Sequence, residues 1–238
     1  MLVLYEDNHI IIVSKNCNEI VQGDKTGDRP LSDYVKDYIK EKYHKPGEVF
    51  LGVVHRLDRP VSGVVVFART SKALSRLNEM FRKSEVKKTY WAITQERPPQ
   101  DKGTLKNWIV RNEKLNKSFV YDTQRPNAKL AELDYRLIGQ TDNYYLIEVD
   151  LKTGRHHQIR CQLSNMGCHI KGDLKYGARR SNPDGGISLL ARRVTFVHPV
   201  SKKTINVEAP LPNDNLWHAL AANVAQHDTT DKDNGGSN

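Results

Sequence analysis

The sequence predicts an α+β protein, with a mixed and mainly antiparallel sheet flanked by helices. Three observations predict it. Short apolar runs rich in Val, Ile and Tyr recur along the chain, and several alternate with polar residues at the period of a half-buried strand. Two stretches instead repeat at three and four residues, the spacing of an amphipathic helix. The runs are separated by polar turns rather than fused, and none reaches the roughly 18 apolar residues of a membrane span.

Residues 2–5 and 10–14 form the first pair of runs, joined by Glu6-Asp7-Asn8-His9 in a hairpin pattern. A polar loop covers 22–29, and Pro30 opens a helix where its missing N–H costs nothing. Leu31, Tyr34, Val35, Tyr38 and Ile39 share one face of that helix, with both tyrosines expected at the core edge, and 44–47 ends it. Runs at 49–54 and 64–67 read as buried strands on either side of a polar turn. Ser71 is positioned to cap a second helix over 71–84, with Leu74, Leu77, Met80 and Phe81 inward and Lys72, Arg76, Arg82 and Lys83 outward. Residues 86–93 form a strand on which Tyr90 and Ala92 share a face.

After a loop at 96–103, strands are expected at 104–110, 118–122, 129–138 and 144–151. Thr153 to Arg160 opens a third helix, whose first free N–H groups suit an anion, and Gly167 stops it. Residues 187–191 form a strand, 192–198 and 203–209 a hairpin, and Asn213 or Asp214 caps a last helix carrying Leu216, Trp217, Leu220 and Val224. The expected organisation is one domain over 1–226, followed by a polar, disordered tail at 227–238.

Lys and Arg number 37 against 28 Asp and Glu, a formal charge of +9, which favours an anionic partner, nucleic acid first. Cys17, Cys161 and Cys168 make an odd set without C-x-x-C, so no disulfide framework and a reducing cytoplasm are expected. Glu6 and Asp7 interrupt the N-terminal run, so no signal segment is read there. Neighbouring His156 and His157 diverge on a helix, and no acid or cysteine joins them or His169 at ligand spacing, so no metal is expected. No G-K-[ST] follows a glycine-rich loop, which excludes a P-loop.

The polar turn is His55-Arg56-Leu57-Asp58-Arg59-Pro60-Val61-Ser62-Gly63. A plain connection needs only the proline and the glycine. An aspartate between two guanidinium groups is kept ionised, a state suited to nucleophilic work, although an isolated acid flanked by arginines is more often a structural ion pair. This turn resembles the H-R-L-D-x-x-x-S-G signature of the RluA/RsuA-type pseudouridine synthases, with Val61 in place of the usual threonine. Lys88-Thr89-Tyr90-Trp91-Ala92 is similar to that family's K-x-Y-x-A, Arg155 to Arg160 to its G-R-x-H-Q-[IL]-R segment, and His169 to Gly177 to its H-P-I-x-G-D-x-x-Y-G loop without the proline. Of the family's Asn-Lys-Pro-Ser-Gly after the second strand only Lys15 remains. The resemblance covers roughly residues 1–212.

The resemblance implies a catalytic groove across the sheet, with Asp58 acting at the sugar, Tyr90 against the target base and Arg160 paired with Asp58. Substrate-binding positions are expected at His55, Arg56, Arg59, Arg155, His157, Gln158 and Lys171, with His157 read as a supporting hydrogen-bonder. Arg56 would fill the space left by a flipped base, and Arg59, Arg155, Lys171 and Lys175 would meet phosphates. Isomerising uridine to pseudouridine moves a glycosidic bond from N1 to C5 without redox change or donor, so no cofactor is implied. The expected partner is tRNA or ribosomal RNA, the expected state a monomer in the cytoplasm. The first strand begins at residue 2, so no S4-type RNA-binding domain is expected before it. A noncatalytic RNA-binding or folding module is the second reading, which retention of Asp58, Tyr90 and Arg160 disfavours. A hydrolase using His55 with Asp58 ranks last, lacking a serine elbow, a second acid or a metal set.

Overall fold

Ile10-Ile11-Ile12-Val13 has no polar face, so as a strand it must be covered on both sides. The computed structural model describes the backbone of residues 1–233 and the side chains of 1–224, and in it all four residues are fully buried. Among the described residues the strands are β1 (Leu2–Glu6), β2 (Ile10–Lys15), β3 (Gly52–Val53), β4 (Ser62–Ala68), β5 (Lys87–Thr94), β6 (Lys102–Asn112), β7 (Lys117–Tyr121), β8 (Lys129–Gln140), β9 (Tyr145–Leu151), β10 (Leu189–Val197) and β11 (Thr204–Glu208). The helices are α1 (Leu31–Lys42), α2 (Ser71–Arg82), α3 (Gln158–Asn165) and α4 (Asn215–Asp233), with a single 3-10 turn at Leu174–Tyr176. The α+β class and its antiparallel pairing are as the sequence reads.

The chain packs as two compact units. Unit 1 takes residues 1–88, 184–186 and 191–210. Its strand order is β1-β2-β4-β10, with β3 also on β4 and β11 on β10. The β1/β2, β2/β4 and β10/β11 registers are antiparallel. Asp7 sets the first turn, its Oδ1 accepting from His9 N at 2.7 Å and Ile10 N at 2.9 Å. α1 buries Leu31, Val35 and Ile39. Tyr34 is exposed rather than at the core edge, with the Arg29 guanidinium 4.4 Å over its ring. α2 packs on β3 and β4 and buries Ala73 and Leu77. Its cap is Thr70, whose hydroxyl accepts from Ala73 N, one residue earlier than Ser71.

Unit 2 takes residues 89–183, 187–190 and 211–238, with strand order β5-β9-β8-β6-β7 and antiparallel registers throughout that run. α3 packs on β6 and β7, α4 on β8 and β9. A Cβ at Gly139 of β8 would lie 2.8 Å from the Leu220 carbonyl of α4, so glycine permits this approach. Asp214 caps α4 by accepting from Leu216 N at 2.7 Å, and Trp217 and Leu220 are buried. The strand read at 187–191 and the hairpin arm at 192–198 are one strand, β10, which starts in unit 2 and ends in unit 1. The polar tail read at 227–238 falls where side chains, and from 234 the backbone, lie outside the described residues.

Candidate active site

In unit 1 the signature turn leaves β3 at Val53 and enters β4 at Ser62. The strand read at 49–54 narrows to Gly52–Val53, and the following eight residues form the loop. Leu57 and Val61 anchor it by burial, and Asp58 between them is half-buried. The loop backbone is clamped by one buried cation. Lys15 is 1% exposed and its Nζ donates to the carbonyls of Asn16 (2.9 Å), Arg59 (3.0 Å) and Val61 (2.6 Å). An ammonium has three protons to give, and these three carbonyls can take all of them. Burial pushes Lys15 down to about 8, while the negative charges of Glu19 and Asp58 act the other way. Asn18 N also donates to Arg59 O, and Val61 N to Asp58 O.

Gly63 follows with φ +118°, and a Cβ there would lie 2.3 Å from the Ala191 carbonyl oxygen. No other residue type lets β4 run this close to β10 after the turn.

The other signature residues separate into distinct roles. His55 accepts from Val66 N through Nε2 at 3.0 Å and stacks on Phe81, centroids 4.8 Å apart. Burial and then Lys88 lower it to about 4, so its ring is a neutral prop for β4. Arg59 turns to Asp28 (2.6 Å) and the Thr26 hydroxyl (2.9 Å), away from the flanking role read beside Asp58. Arg56 is exposed and makes no hydrogen bond or ion pair among the described residues.

In unit 2, α3 begins at Gln158, not at Thr153. The side chain of Gln158 accounts for the delay. Its Oε1 accepts from the Thr153 hydroxyl (2.8 Å) and Arg155 N (3.0 Å), and its Nε2 donates to Glu132 O (3.1 Å). The N–H read as open to an anion at Arg155 is thereby taken. His157 stands before the helix in the left-handed region, φ 54°, and is buried. Its Nδ1 lies 2.9 Å from the Tyr176 hydroxyl, which accepts from Ser118 N at 2.8 Å. The Tyr176 hydroxyl thus joins the His157 ring to the Ser118 backbone. Burial, then the charges of Arg160, His156, Lys175 and Arg111, hold it down to about 2.

Arg160 is 5% exposed on α3 and grips Asp173 with two bonds, Nε to Oδ2 at 2.7 Å and Nη2 to Oδ1 at 2.8 Å. Asp173 is 1% exposed. The two-pronged contact fixes the guanidinium plane, with Tyr176 stacked 5.1 Å from Cζ. Removing one partner of such a pair strands a buried charge, at about 3–5 kcal/mol. Tyr90 sits buried on β5 opposite Val149, while Trp91 faces the other way and donates to Glu148. Arg155 donates to Leu130 O and Lys171 to Asn182 Oδ1.

Sequence reasoning missed the clamp, the acid partner and the phenol that orients His157. Lys15 carried a signal, since it ends a strand whose first four residues are all apolar. Asp173 and Tyr176 stood in the quoted Gly172-Asp173…Tyr176-Gly177 segment, but their partners lie in α3 and β7, which spacing does not reveal.

A family model described as RNA pseudouridylate synthase matches residues 9–165. The chain is 31% identical over 224 residues to the uncharacterized RNA pseudouridine synthase YhcT of Bacillus subtilis (strain 168), covering 89% of this chain and 69% of that one. It is 32% identical over 213 residues to ribosomal large subunit pseudouridine synthase C of Rickettsia bellii (strain RML369-C), covering 89% and 68%. Human RNA pseudouridylate synthase domain containing 4 shares the fold, with a TM-score of 0.77 at 24% identity over 94% of this chain and 93% of that one.

Proposed function

This chain belongs to the RNA pseudouridylate synthase family, and from that premise we propose that it isomerises uridines of large-subunit ribosomal RNA, with Asp58 as the acid that acts at the sugar. The substrate follows the name of the Rickettsia relatives, ribosomal large subunit pseudouridine synthase C. The Asp58 loop carries the residue assignment. A carboxylate on backbone held by a buried ammonium is a positioned group, and positioning is what attack on a flipped nucleoside demands.

In this reading the N1–C1′ bond breaks, the uracil turns, C5 bonds to C1′ and the C5 proton is lost while N1 gains one. Mass is unchanged. Asp58 engages the ribose, either as nucleophile at C1′ or as base. Tyr90 offers a ring to the base and a hydroxyl to carry a proton. Arg160 is held as a fixed cation on α3 by its two bonds to Asp173. Arg56 fills the stack left by the departing base, supported by its exposure and its planar group.

Deproteinised large-subunit ribosomal RNA, incubated with the wild type and with Asp58→Asn and then mapped for pseudouridine, tests the proposal. New pseudouridines at defined positions are expected with the wild type, and a loss of at least about 10³-fold in the variant. RNA bound but unconverted by the wild type would return the noncatalytic module. Arg56→Ala is expected to lose more rate on a paired target than on an unpaired loop, and equal loss on both removes that role.

A further inference from the structure

Exposed cations on the sheet of unit 2 are mostly answered by acids. Lys106 meets Glu132 at 3.4 Å, Lys152 meets Asp134 at 3.0 Å, and Arg136 meets Glu148 at 3.1 Å. Around the turn from β6 to β7 this pattern stops. Arg111, Lys114, Lys117 and Lys175 make no ion pair among the described residues. Lys117 and Lys175 are nevertheless drawn together, with Arg111 and Lys114 on the same hairpin. Lys175, on the 3-10 turn, donates its Nζ to the Asn116 carbonyl at 2.9 Å. The Lys117 ammonium lies 5.2 Å over the Tyr176 ring. His156 places Nε2 3.2 Å from Asn116 Oδ1 and Nδ1 2.9 Å from the Ser118 hydroxyl. Like charges gathered this way repel unless an anion joins them.

The turn itself is exposed at residues 113–116, and β7 is the last strand in the order, so an extended ligand has access along it. Lysines are point charges suited to phosphate, and Arg111 adds a planar fork. We infer that the β6–β7 turn, with Lys175 and His156, is a docking surface for the phosphodiester backbone of the substrate RNA beyond the reacting nucleotide. The inference rests on the reading of the substrate as RNA. Of the residues read from sequence as phosphate contacts it retains Lys175 and adds Arg111, Lys114 and Lys117, while Arg59 and Lys171 are occupied by Asp28 and Asn182.

The experiment measures binding of deproteinised large-subunit ribosomal RNA across a salt series, using the full chain and Lys114→Gln/Lys117→Gln/Lys175→Gln. Each phosphate contact contributes about 0.7–0.9 to the slope of log affinity against log salt, so the triple variant should be shallower by about 2 and weaker at every salt. The corresponding triple Lys→Arg variant should keep the wild-type slope, and Lys106→Gln, whose lysine already has an acid, should also keep it. A triple Gln variant with wild-type slope and affinity overturns the inference, as does an equal loss in Lys106→Gln. Pseudouridine is scored in the same RNA. Wild type that binds with the expected slope but converts nothing sinks the proposed reaction and leaves the surface standing; conversion with an unaltered variant slope sinks the surface alone.

Discussion

Lys15 shows how much one side chain can decide. Its three carbonyl acceptors include those of Arg59 and Val61, on the C-terminal side of Asp58, so its loss frees that part of the loop. Lys15→Met keeps the apolar stem but none of the donors, leaving buried carbonyls unsatisfied. The expected result is a fall in kcat of about 10- to 100-fold with little change in KM, because misplacement of a reacting group costs rate before binding. Steady-state kinetics on the mapped ribosomal RNA target measures it; unchanged kcat would show that the loop holds its shape without the clamp. From sequence the lysine was visible as the remnant of a family segment. Its burial was not visible, because the carbonyls that receive it come from a turn 44–46 residues away.

At the level of elements, the entry into β4 is the most constrained. Gly63 combines a left-handed backbone with a Cβ position already filled by the Ala191 backbone. Gly63→Ala is expected to cost at least about 2 kcal/mol, from the dihedral and the overlap together. A denaturant melt showing stability within 0.5 kcal/mol, about the scatter of a neutral surface change, would contradict that. The turn and its two flanking apolar runs were legible because strand periodicity and the Pro-Val-Ser-Gly sequence are local. The start of α3 was not. There the side chain of Gln158 reaches back to Thr153 and Arg155 and holds a loop where the sequence reads a first helical turn. The same physics hid the true cap of α2, since Thr70 and Ser71 are equally good caps by residue type.

Across the whole molecule, stability against acid should carry the mark of His157. Its folded value, about 2, is below its ordinary 6.5, so the unfolded chain takes up a proton that the folded one refuses. The contribution is complete above pH 6.5 and is lost as pH falls from there towards 2. His157→Gln should flatten the decline of unfolding free energy between pH 6 and pH 4 relative to wild type, at some cost in stability near neutrality; parallel curves would argue against a neutral, buried ring. The α+β class was legible from periodicity, and the catalytic assignments came from three short segments. The partition of the chain was not, because it depends on which residues meet far along the sequence.

That partition has a consequence for how the protein is made. Unit 1 draws its last strands from residues 191–210, although its first 88 residues leave the ribosome early. During synthesis the opening segment, with its strongly apolar β2 and β4, must wait for most of unit 2 to be translated before β10 and β11 can join it. A nascent chain halted near residue 183 would therefore present that segment unfinished, and late completion rather than stepwise maturation is the order that this connectivity imposes.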